Sequence, residues 1–593
     1  MPADSHSTVE QFSVAQSSFT TRPIIMSRKG VATSGHYLAT AIGSDILRHG
    51  GNAIDAGVAM GLALTVLEPH MNGIAGEVPM LIYSAKDDQV FAVSGQGWAP
   101  KGMTISWFKE NGIDMIPGDG LLPAMVPGSL DAWVRALARF GRLKLADVLS
   151  PAVELARGGF PMHQGLSRAI GSLADRFRTE WPTSAEVYLP DNRPPLVAEN
   201  FCQPAWADTF QKLLDTESAN SHLGREAAMF AARDVFYRGT IAEQIAEFAQ
   251  TSEFMDASGA AHSGFITRED LAEYEGAIEE PVTTTFRGLQ VYKCGPWCQG
   301  PVFLQMLNLL EGSDLQGMGH NSPDYIHTWI ECAKIAYGDR ERWYGDPNFS
   351  DVPLERLLSK EYAAEAQTRL DPIKASHEPI PSPESYQGPQ GMGLGTGFAH
   401  DTTQLDAIDS EGNMIAATPS GGWIPSSPVI PGLGFPLGTR GQMFVLVEGH
   451  PNSLEPGKRP RTTLTPSLAT KDGRPFMVFG TPGGDQQDQW TNQFFLNFVE
   501  FNMDVQAALD APTFHSQHFP GSFYPRTAKP GHMVAEERIS KETIDTLSSR
   551  GHIVHVSDGW SHGRCLAIWR DEPTGTILGG ASPRLGTGYA IGV

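Results

Sequence analysis

The segment GFAHDTTQLDAID occupies residues 397–409 and places two threonines, Thr402 and Thr403, at the head of an alternating stretch far from either end of the chain. Alternation of apolar and polar residues is typical of a β-strand. Threonine also favours strands by itself, because its branched Cβ fits a pleated surface. A second interpretation is equally open at this point: one threonine becomes a new chain terminus and acts as a nucleophile.

The residues on both sides of this pair bear on that choice. Residues 379–401 are rich in glycine, proline and serine, a composition that predicts a mobile surface loop. After the pair, TTQLDAID, the turn SEGN and MIAAT form the pattern of a β-hairpin. A mobile loop that leads straight into a strand is what an internal cut of the chain would need.

Bulk composition excludes several classes of protein. The chain has 593 residues and a formal net charge of -23, which argues against a nucleic-acid partner or an anionic membrane surface. Residues 1–25 are predicted to be disordered. They lack the apolar core of a secretory signal, and no run of about 18 apolar residues occurs, so a cytoplasmic protein without a membrane segment is expected. Five cysteines, an odd and sparse set, suit a reducing compartment.

The secondary structure is predicted to be mixed. Residues 35–69 predict two buried apolar helices separated by Gly50-Gly51-Asn52. MLIYSAKDDQVFAVSG predicts two short strands, and residues 127–250 are mostly helical in pattern. Further on, the strand MVF runs through GTPGG into a helical pattern, so the backbone N–H groups of Gly483 and Gly484 could hold an anion. A plain strand-to-helix turn is the alternative.

Two further patterns resemble functional motifs but do not predict a catalytic serine or a metal site. GWSHG, at residues 559–563, matches the G-x-S-x-G elbow of hydrolases, but a strand pattern follows it and no histidine occurs later in the chain. His515 and His518 have a spacing seen in metal sites, but no Cys or acidic ligand set accompanies them, so no metal site and no cofactor are expected.

With these segments in view, the chain resembles the gamma-glutamyltranspeptidase family of N-terminal nucleophile hydrolases from residue 30 to near its end. The resemblance rests on a series of short motifs in a fixed order: GGNAIDA (50–56), VPG (126–128), LARGGF (155–160), AYGDR (336–340), GDP (345–347), TT (402–403), PGKRP (456–460), PGG (482–484), DAP (510–512) and SPR (582–584). It implies an α+β fold, the four-layer αββα sandwich.

The resemblance also implies a proenzyme that cuts itself between Asp401 and Thr402. Residues 1–401 would form a large subunit and residues 402–593 a small one, both within a single αββα domain. The free α-amino group of Thr402, with a pKa of about 8, would serve as the base for its own hydroxyl.

The family mechanism implies further roles. Gly483 and Gly484 would hold the oxyanion of the acyl-enzyme intermediate. Thr403 and Thr418 would orient the nucleophile, although Thr418 has the alternative of being an ordinary strand residue. Thr462 and Thr463 stand where the family places a serine pair that binds the carboxylate of the acyl donor.

Several positions depart from the family pattern. Gln96 occupies the position of the arginine that clamps the donor carboxylate, and Met443 stands where acidic residues grip the α-ammonium of a γ-glutamyl donor. Ser420 and Gly422 stand two and four positions after Thr418, where the family tends to keep a threonine and an asparagine. The family's glycine-rich segment near residue 75 becomes Ala75-Gly76-Glu77-Val78. Arg440 is a new cation beside the lost acidic pair, and either binds a substrate carboxylate or is a solvated loop arginine.

These departures predict a small-molecule amide substrate that lacks the α-ammonium, a dicarboxylic monoamide. Two alternatives stay open. One is a true γ-glutamyl hydrolase or transpeptidase whose clamp has moved to other residues. The other is a non-catalytic relative that is never cut and acts as a binding protein.

Overall fold

The computed structural model describes residues 19–381 and 402–593, and Asp401 with most of the predicted loop 379–401 lies outside this range. In chain order the strands are β1 (Ile25–Ser27), β2 (Gly30–Ser34), β3 (Met80–Ser84), β4 (Gln89–Val93), β5 (Phe160–Pro161), β6 (Asn200–Phe201), β7 (Phe254–Met255), β8 (Ala261–His262), β9 (Ile278–Glu279), β10 (Val282–Phe286), β11 (Leu289–Lys293), β12 (Leu405–Asp409), β13 (Met414–Ala417), β14 (Ser467–Lys471), β15 (Arg474–Gly480), β16 (Phe514–Ser516), β17 (His532–Glu536), β18 (Ile553–Ser557), β19 (Leu566–Asp571), β20 (Thr576–Ala581) and β21 (Tyr589–Gly592).

The helices of the described residues are α1 (Tyr37–Arg48), α2 (Ala53–Leu67), α3 (Ile105–Glu110), α4 (Ser129–Phe140), α5 (Leu145–Gly158), α6 (Gln164–Thr179), α7 (Pro182–Tyr188), α8 (Pro204–Ala219), α9 (Arg225–Tyr237), α10 (Thr240–Thr251), α11 (Arg268–Glu273), α12 (Pro301–Glu311), α13 (Leu315–Met318), α14 (Pro323–Trp343), α15 (Leu354–Leu357), α16 (Lys360–Gln367), α17 (Gln487–Val499), α18 (Val505–Asp510) and α19 (Lys541–Ser549). None of them is both long and apolar enough to cross a bilayer.

Two seven-stranded antiparallel sheets form the centre of the molecule. One has the order β21-β2-β12-β13-β3-β4-β9 and the other β1-β20-β19-β15-β14-β11-β10. Strand β12 therefore lies between β2 and β13, with Leu405 opposite both Ser34 and Ala417. The strands that follow residue 402 contribute to both sheets.

Alternate side chains of β12 show how the layers stack. Leu405 and Ala407 pack on one face with the core of α2, α4 and α5. Ile408, on the opposite face, packs against Val478 and Ile568 of the other sheet. Because α12, α14 and α17 cover the outer face of that second sheet, the order of layers is helix, sheet, sheet, helix. The predicted αββα sandwich is confirmed.

Helix α2 is buried along its whole length, as its apolar composition predicts. Asn52 and Asp55 begin it with reciprocal hydrogen bonds that satisfy the first backbone N–H groups. The same prediction was wrong for α1, whose buried residues are confined to Ala39, Thr40, Gly43 and Ser44. Helix α1 covers α2 and turns its other side to solvent.

The structure describes residues 19–25 of the segment predicted to be disordered, and these residues contact distant parts of the chain. The backbone N–H and the hydroxyl of Thr21 both donate to the Asp510 carboxylate at 2.7 Å. Strand β1, which begins at Ile25, then pairs with β20. A distant carboxylate and a strand edge thus hold a segment whose composition alone predicts little structure.

Candidate active site

Thr402 lies just before β12, which begins at Leu405, and backbone pairing holds it in place. It forms an antiparallel bridge with Ser420, and the N–H of Thr403 donates to the carbonyl of Pro419 at 3.1 Å. Both threonines are fully buried. The Oγ1 atom of Thr402 is 3.0 Å from Oγ of Ser420, within hydrogen-bond distance.

Behind Ser420 stands a buried ion pair between Arg440 and Glu77. Nη2 of Arg440 donates to Oγ of Ser420 at 2.8 Å, and Nε donates to Oε1 of Glu77 at 2.5 Å. Its Nη1 lies 3.9 Å from Sδ of Met443. Arg440 is therefore buried and lies behind Ser420, which contacts Thr402. The interpretation as a solvated loop arginine is wrong.

Thr403 is held by a second buried pair of an arginine and a glutamate. Nη2 of Arg564 donates to Oγ1 of Thr403 at 3.1 Å, and Nη1 donates to Oε1 of Glu68 at 2.8 Å. Burial alone would raise the pKa of Glu68, but Arg564, with His36 and His70, lowers it to about 2. Glu68 is therefore ionised at neutral pH.

Thr418 contacts the side chain of Gln404 instead of the threonine pair. Its hydroxyl donates to Oε1 of Gln404 at 2.7 Å, and Nε2 of Gln404 donates to Oδ1 of Asp406 at 2.8 Å. Burial raises the pKa of Asp406 well above its ordinary value. The role of Thr418 in orienting the nucleophile stays a prediction.

The glycine loop has the backbone that the sequence predicts. Gly483 and Gly484 have φ of 130° and 56°, in the region that favours glycine. A Cβ on Gly483 would lie 2.3 Å from the ring of Trp490. The N–H of Arg564, which binds Thr403, donates to Oγ1 of Thr481 at 2.9 Å and so ties this loop to the threonine pair.

Among the residues that the sequence predicts to bind the donor, Thr462 and Thr463 belong to one segment of the chain and Gln96 to another. The N–H of Thr462 donates to the carbonyl of Trp297 at 2.9 Å, and its own carbonyl accepts from Gln299. Oγ1 of Thr463 is buried and has no hydrogen-bond partner among residues 19–381 and 402–593. Gln96 is buried beside Tyr274, whose hydroxyl donates to the Gln96 carbonyl at 3.1 Å.

Glu68, Glu77, Gln404 and Arg564 were missed as site residues by sequence reasoning. Glu77 lies in a segment, Ala75 to Val78, that departs from the family pattern, and that departure was the available signal. Arg564 carried no signal, because 161 residues separate it from Thr403. Only the packing of β19 near β12 brings the two side chains together.

The histidine patterns lie elsewhere. His515 packs against Trp490 and His562, and His518 contacts the carbonyl of Glu378. His327, Glu331 and His552 converge closely enough to hold a metal ion. However, the Lys334 ammonium donates to Glu331 Oε1 at 2.6 Å and already supplies a cation there.

Residues 39–592 match the family model described as Gamma-glutamyltranspeptidase. The chain is 32% identical over 575 residues to the glutathione hydrolase-like YwrD proenzyme of Bacillus subtilis (strain 168), covering 96% of this chain and 99% of that protein.

Two solved structures are also similar. LmbA2991HD has 44% identity and a TM-score of 0.91, with 97% of this chain and 100% of that one covered. A cephalosporin acylase from Bacillus halodurans has 30% identity and a TM-score of 0.82, with 98% of each chain covered.

Proposed function

The chain belongs to the gamma-glutamyltranspeptidase family of hydrolases and acyltransferases, and from this membership we propose that Thr402 is the nucleophile of a self-cleaving amide hydrolase. The observation that carries the proposal is the buried Thr402 hydroxyl, which lies 3.0 Å from Ser420 at the head of a central strand. Similarity to proenzymes supports an internal cut.

The first reaction is cleavage of the chain itself. Oγ1 of Thr402 attacks the carbonyl carbon of residue 401, the C–N bond breaks, and the proton of the hydroxyl passes to the departing nitrogen. Water then hydrolyses the ester and leaves Thr402 with a free α-amino group. With a pKa of about 8, that amine accepts the hydroxyl proton in later turnovers.

In turnover, Thr402 attacks the amide carbonyl of the donor and forms an ester, while the amine of the donor leaves with a proton. The N–H groups of Gly483 and Gly484 hold the oxyanion. Water or an amine acceptor then releases the acyl group. The arrangement needs no histidine, because the base and the nucleophile belong to one residue.

The donor we propose is a dicarboxylic monoamide without an α-ammonium group. We assign the binding of the donor's carboxylate to Nη1 of Arg440. Among the described oxygen, nitrogen and sulfur atoms, this nitrogen contacts only the sulfur of Met443. The buried Thr463 hydroxyl supplies a further donor. A zwitterionic head would meet the thioether of Met443, which is not an anion.

One observation favours the rival donor, a γ-glutamyl amide. Glu77 is a buried carboxylate in the same group as Ser420 and Arg440, and a relocated clamp could use it to bind an ammonium. Glu77 already binds two nitrogens of Arg440, whereas Nη1 of Arg440 contacts the sulfur of Met443 and is not used by Glu77, so we rank this donor second. The third possibility, an uncut binding protein, makes no use of the Thr402 hydroxyl.

Denaturing electrophoresis with mass spectrometry tests the cut. Wild type should give two fragments that end and begin at the bond between residues 401 and 402, and Thr402→Ala should give one 64.2 kDa chain. Thr402→Ser, the matched control, keeps a hydroxyl and should still be cut. A wild-type chain that stays whole, or a cut Thr402→Ala, would contradict the proposal.

A kinetic comparison tests the donor. Glutaryl-p-nitroanilide should have the higher kcat/KM, and γ-glutamyl-p-nitroanilide the lower. Thr463→Val keeps the volume of the side chain and should raise KM for the glutaryl substrate without loss of stability, since its hydroxyl has no partner in the described structure. The opposite order of the two substrates would favour the γ-glutamyl donor.

A further inference from the structure

We propose that Glu77, Arg440 and Ser420 form a positioning relay that makes Ser420 a hydrogen-bond donor to the Thr402 oxygen during self-cleavage. The proposal rests on the proposed function of Thr402 and adds to it the role of three residues behind the nucleophile. It differs from the donor-binding role of Arg440, because self-cleavage involves no external substrate.

The chemistry of the side chains fixes the direction of the hydrogen bond between Arg440 and Ser420. A guanidinium group donates and never accepts, so Oγ of Ser420 must accept the bond from Arg440 at 2.8 Å. A hydroxyl that already accepts from a cation is a weaker base and a stronger donor. Ser420 is therefore suited to donate to Oγ1 of Thr402, 3.0 Å away, as that oxygen gives up its proton.

Backbone and side-chain contacts hold the three residues of the relay in place. Ser420 and Glu77 exchange two backbone hydrogen bonds of 2.9 Å, so the strand pairing fixes both ends of the relay. Glu77 accepts from Nε of Arg440 and also pairs with Nη2, the nitrogen that donates to Ser420, so the carboxylate holds this side of the guanidinium against Ser420. Gly421 completes the fit: a Cβ there would lie 2.5 Å from both carboxylate oxygens of Glu77.

The relay lies in buried, largely aromatic surroundings. Arg440 lies beside the rings of Trp423 and Phe523, with its guanidinium carbon 5.1 and 5.4 Å from the ring centres. Arg440, Glu77 and Ser420 are all buried. Hydrogen bonds from a cation are stronger in such surroundings than in water, and the glutamate supplies the counter-charge that burial of the arginine requires.

Self-cleavage of freshly made precursor, followed by the loss of the 64.2 kDa band, is the measurement. Arg440→Met and Ser420→Ala should each slow cleavage about 100- to 1,000-fold, the range expected for loss of a donor to a developing negative charge. Arg440→Lys keeps the cation but not the fork that binds Glu77 and Ser420 together, and should restore only part of the rate. The double variant Ser420→Ala/Arg440→Met should be no slower than the worse single variant, because both act through one hydrogen bond.

Arg233→Met is the matched control, since Arg233 is another buried arginine with a carboxylate partner, Asp131, outside the threonine site. It should lower the thermal midpoint and leave the cleavage rate unchanged. Wild-type cleavage rates in Arg440→Met, or losses that multiply in the double variant, would overturn the relay while leaving the Thr402 proposal intact. Failure of wild type and Thr402→Ser to cleave would overturn both.

Discussion

At the scale of single residues, each polar side chain from Thr402 to Gln404 has its own buried partner. Thr402 meets Ser420, Thr403 meets Arg564, and Gln404 meets Thr418. The sequence identified the threonines, because their spacing and the loop before them are local features. It did not identify Arg564 or Glu68, because a contact across hundreds of residues leaves no mark in a local pattern.

Asp406 gives a prediction that combines pH and stability. Its pKa is raised by burial, so the folded protein keeps a proton that the unfolded chain loses above about pH 4. Stability should therefore fall as pH rises from about 4 toward the folded pKa. Asp406→Asn keeps the shape and loses no proton, so its thermal midpoint should exceed that of wild type at pH 8 and match it at low pH.

The Asp406→Asn measurement needs the uncut Thr402→Ala background, so that a single chain unfolds. Asp45→Asn, at an exposed carboxylate, is the control and should show no such growth of the difference with pH. A gap between Asp406→Asn and its parent that stays constant from acid to alkaline pH would show that the carboxyl group is already ionised in the folded chain.

At the scale of elements, the structure confirms those that a local pattern specifies. The hairpin of β12 and β13, strands β3 and β4, and the strand, glycine loop and helix from β15 to α17 all follow from periodicity and turn residues. Periodicity and turn residues do not predict which strands these strands pair with in the two sheets. Strand β12 pairs with β2, more than 370 residues earlier, because burial of both its faces selects that place.

The glycine loop gives a prediction at this scale. Gly483→Ala would place a Cβ 2.3 Å from the Trp490 ring and strain a backbone with φ of 130°. We expect turnover to fall by about 100-fold or more, since the N–H that holds the oxyanion moves. Gly473→Ala is the control: it has φ of 77° with open space around it, and should cost about 1 kcal/mol of stability with activity retained. Normal turnover of folded Gly483→Ala would rule out an oxyanion role.

At the scale of the whole molecule, the two proposed subunits share both sheets. Residues before 401 supply β2, β3, β4 and β9 to one sheet, and residues after it supply β12, β13 and β21. The same mixture holds in the second sheet, where β14, β15, β19 and β20 lie among earlier strands. The cytoplasmic location expected from the composition stays a prediction.

We therefore expect the cut protein to remain one particle. Native mass spectrometry should give one complex of the two fragments, close to the intact mass of 64.2 kDa, at dilutions where denaturing electrophoresis shows two bands. Separation would expose the faces of two sheets, and that apolar area is too large for a stable free fragment. Free small subunits in native conditions would show that the strands exchange more easily than the shared sheets imply.

The place of β12 between β2 and β13 also sets an order of events during synthesis. While the ribosome is still making residues 1–401, the first sheet has a gap at its centre, and the helices that cover it have no finished surface to pack on. A nascent chain therefore cannot assemble the threonine site early. On the proposed role of Thr402, the topology itself delays scission until the later strands have folded.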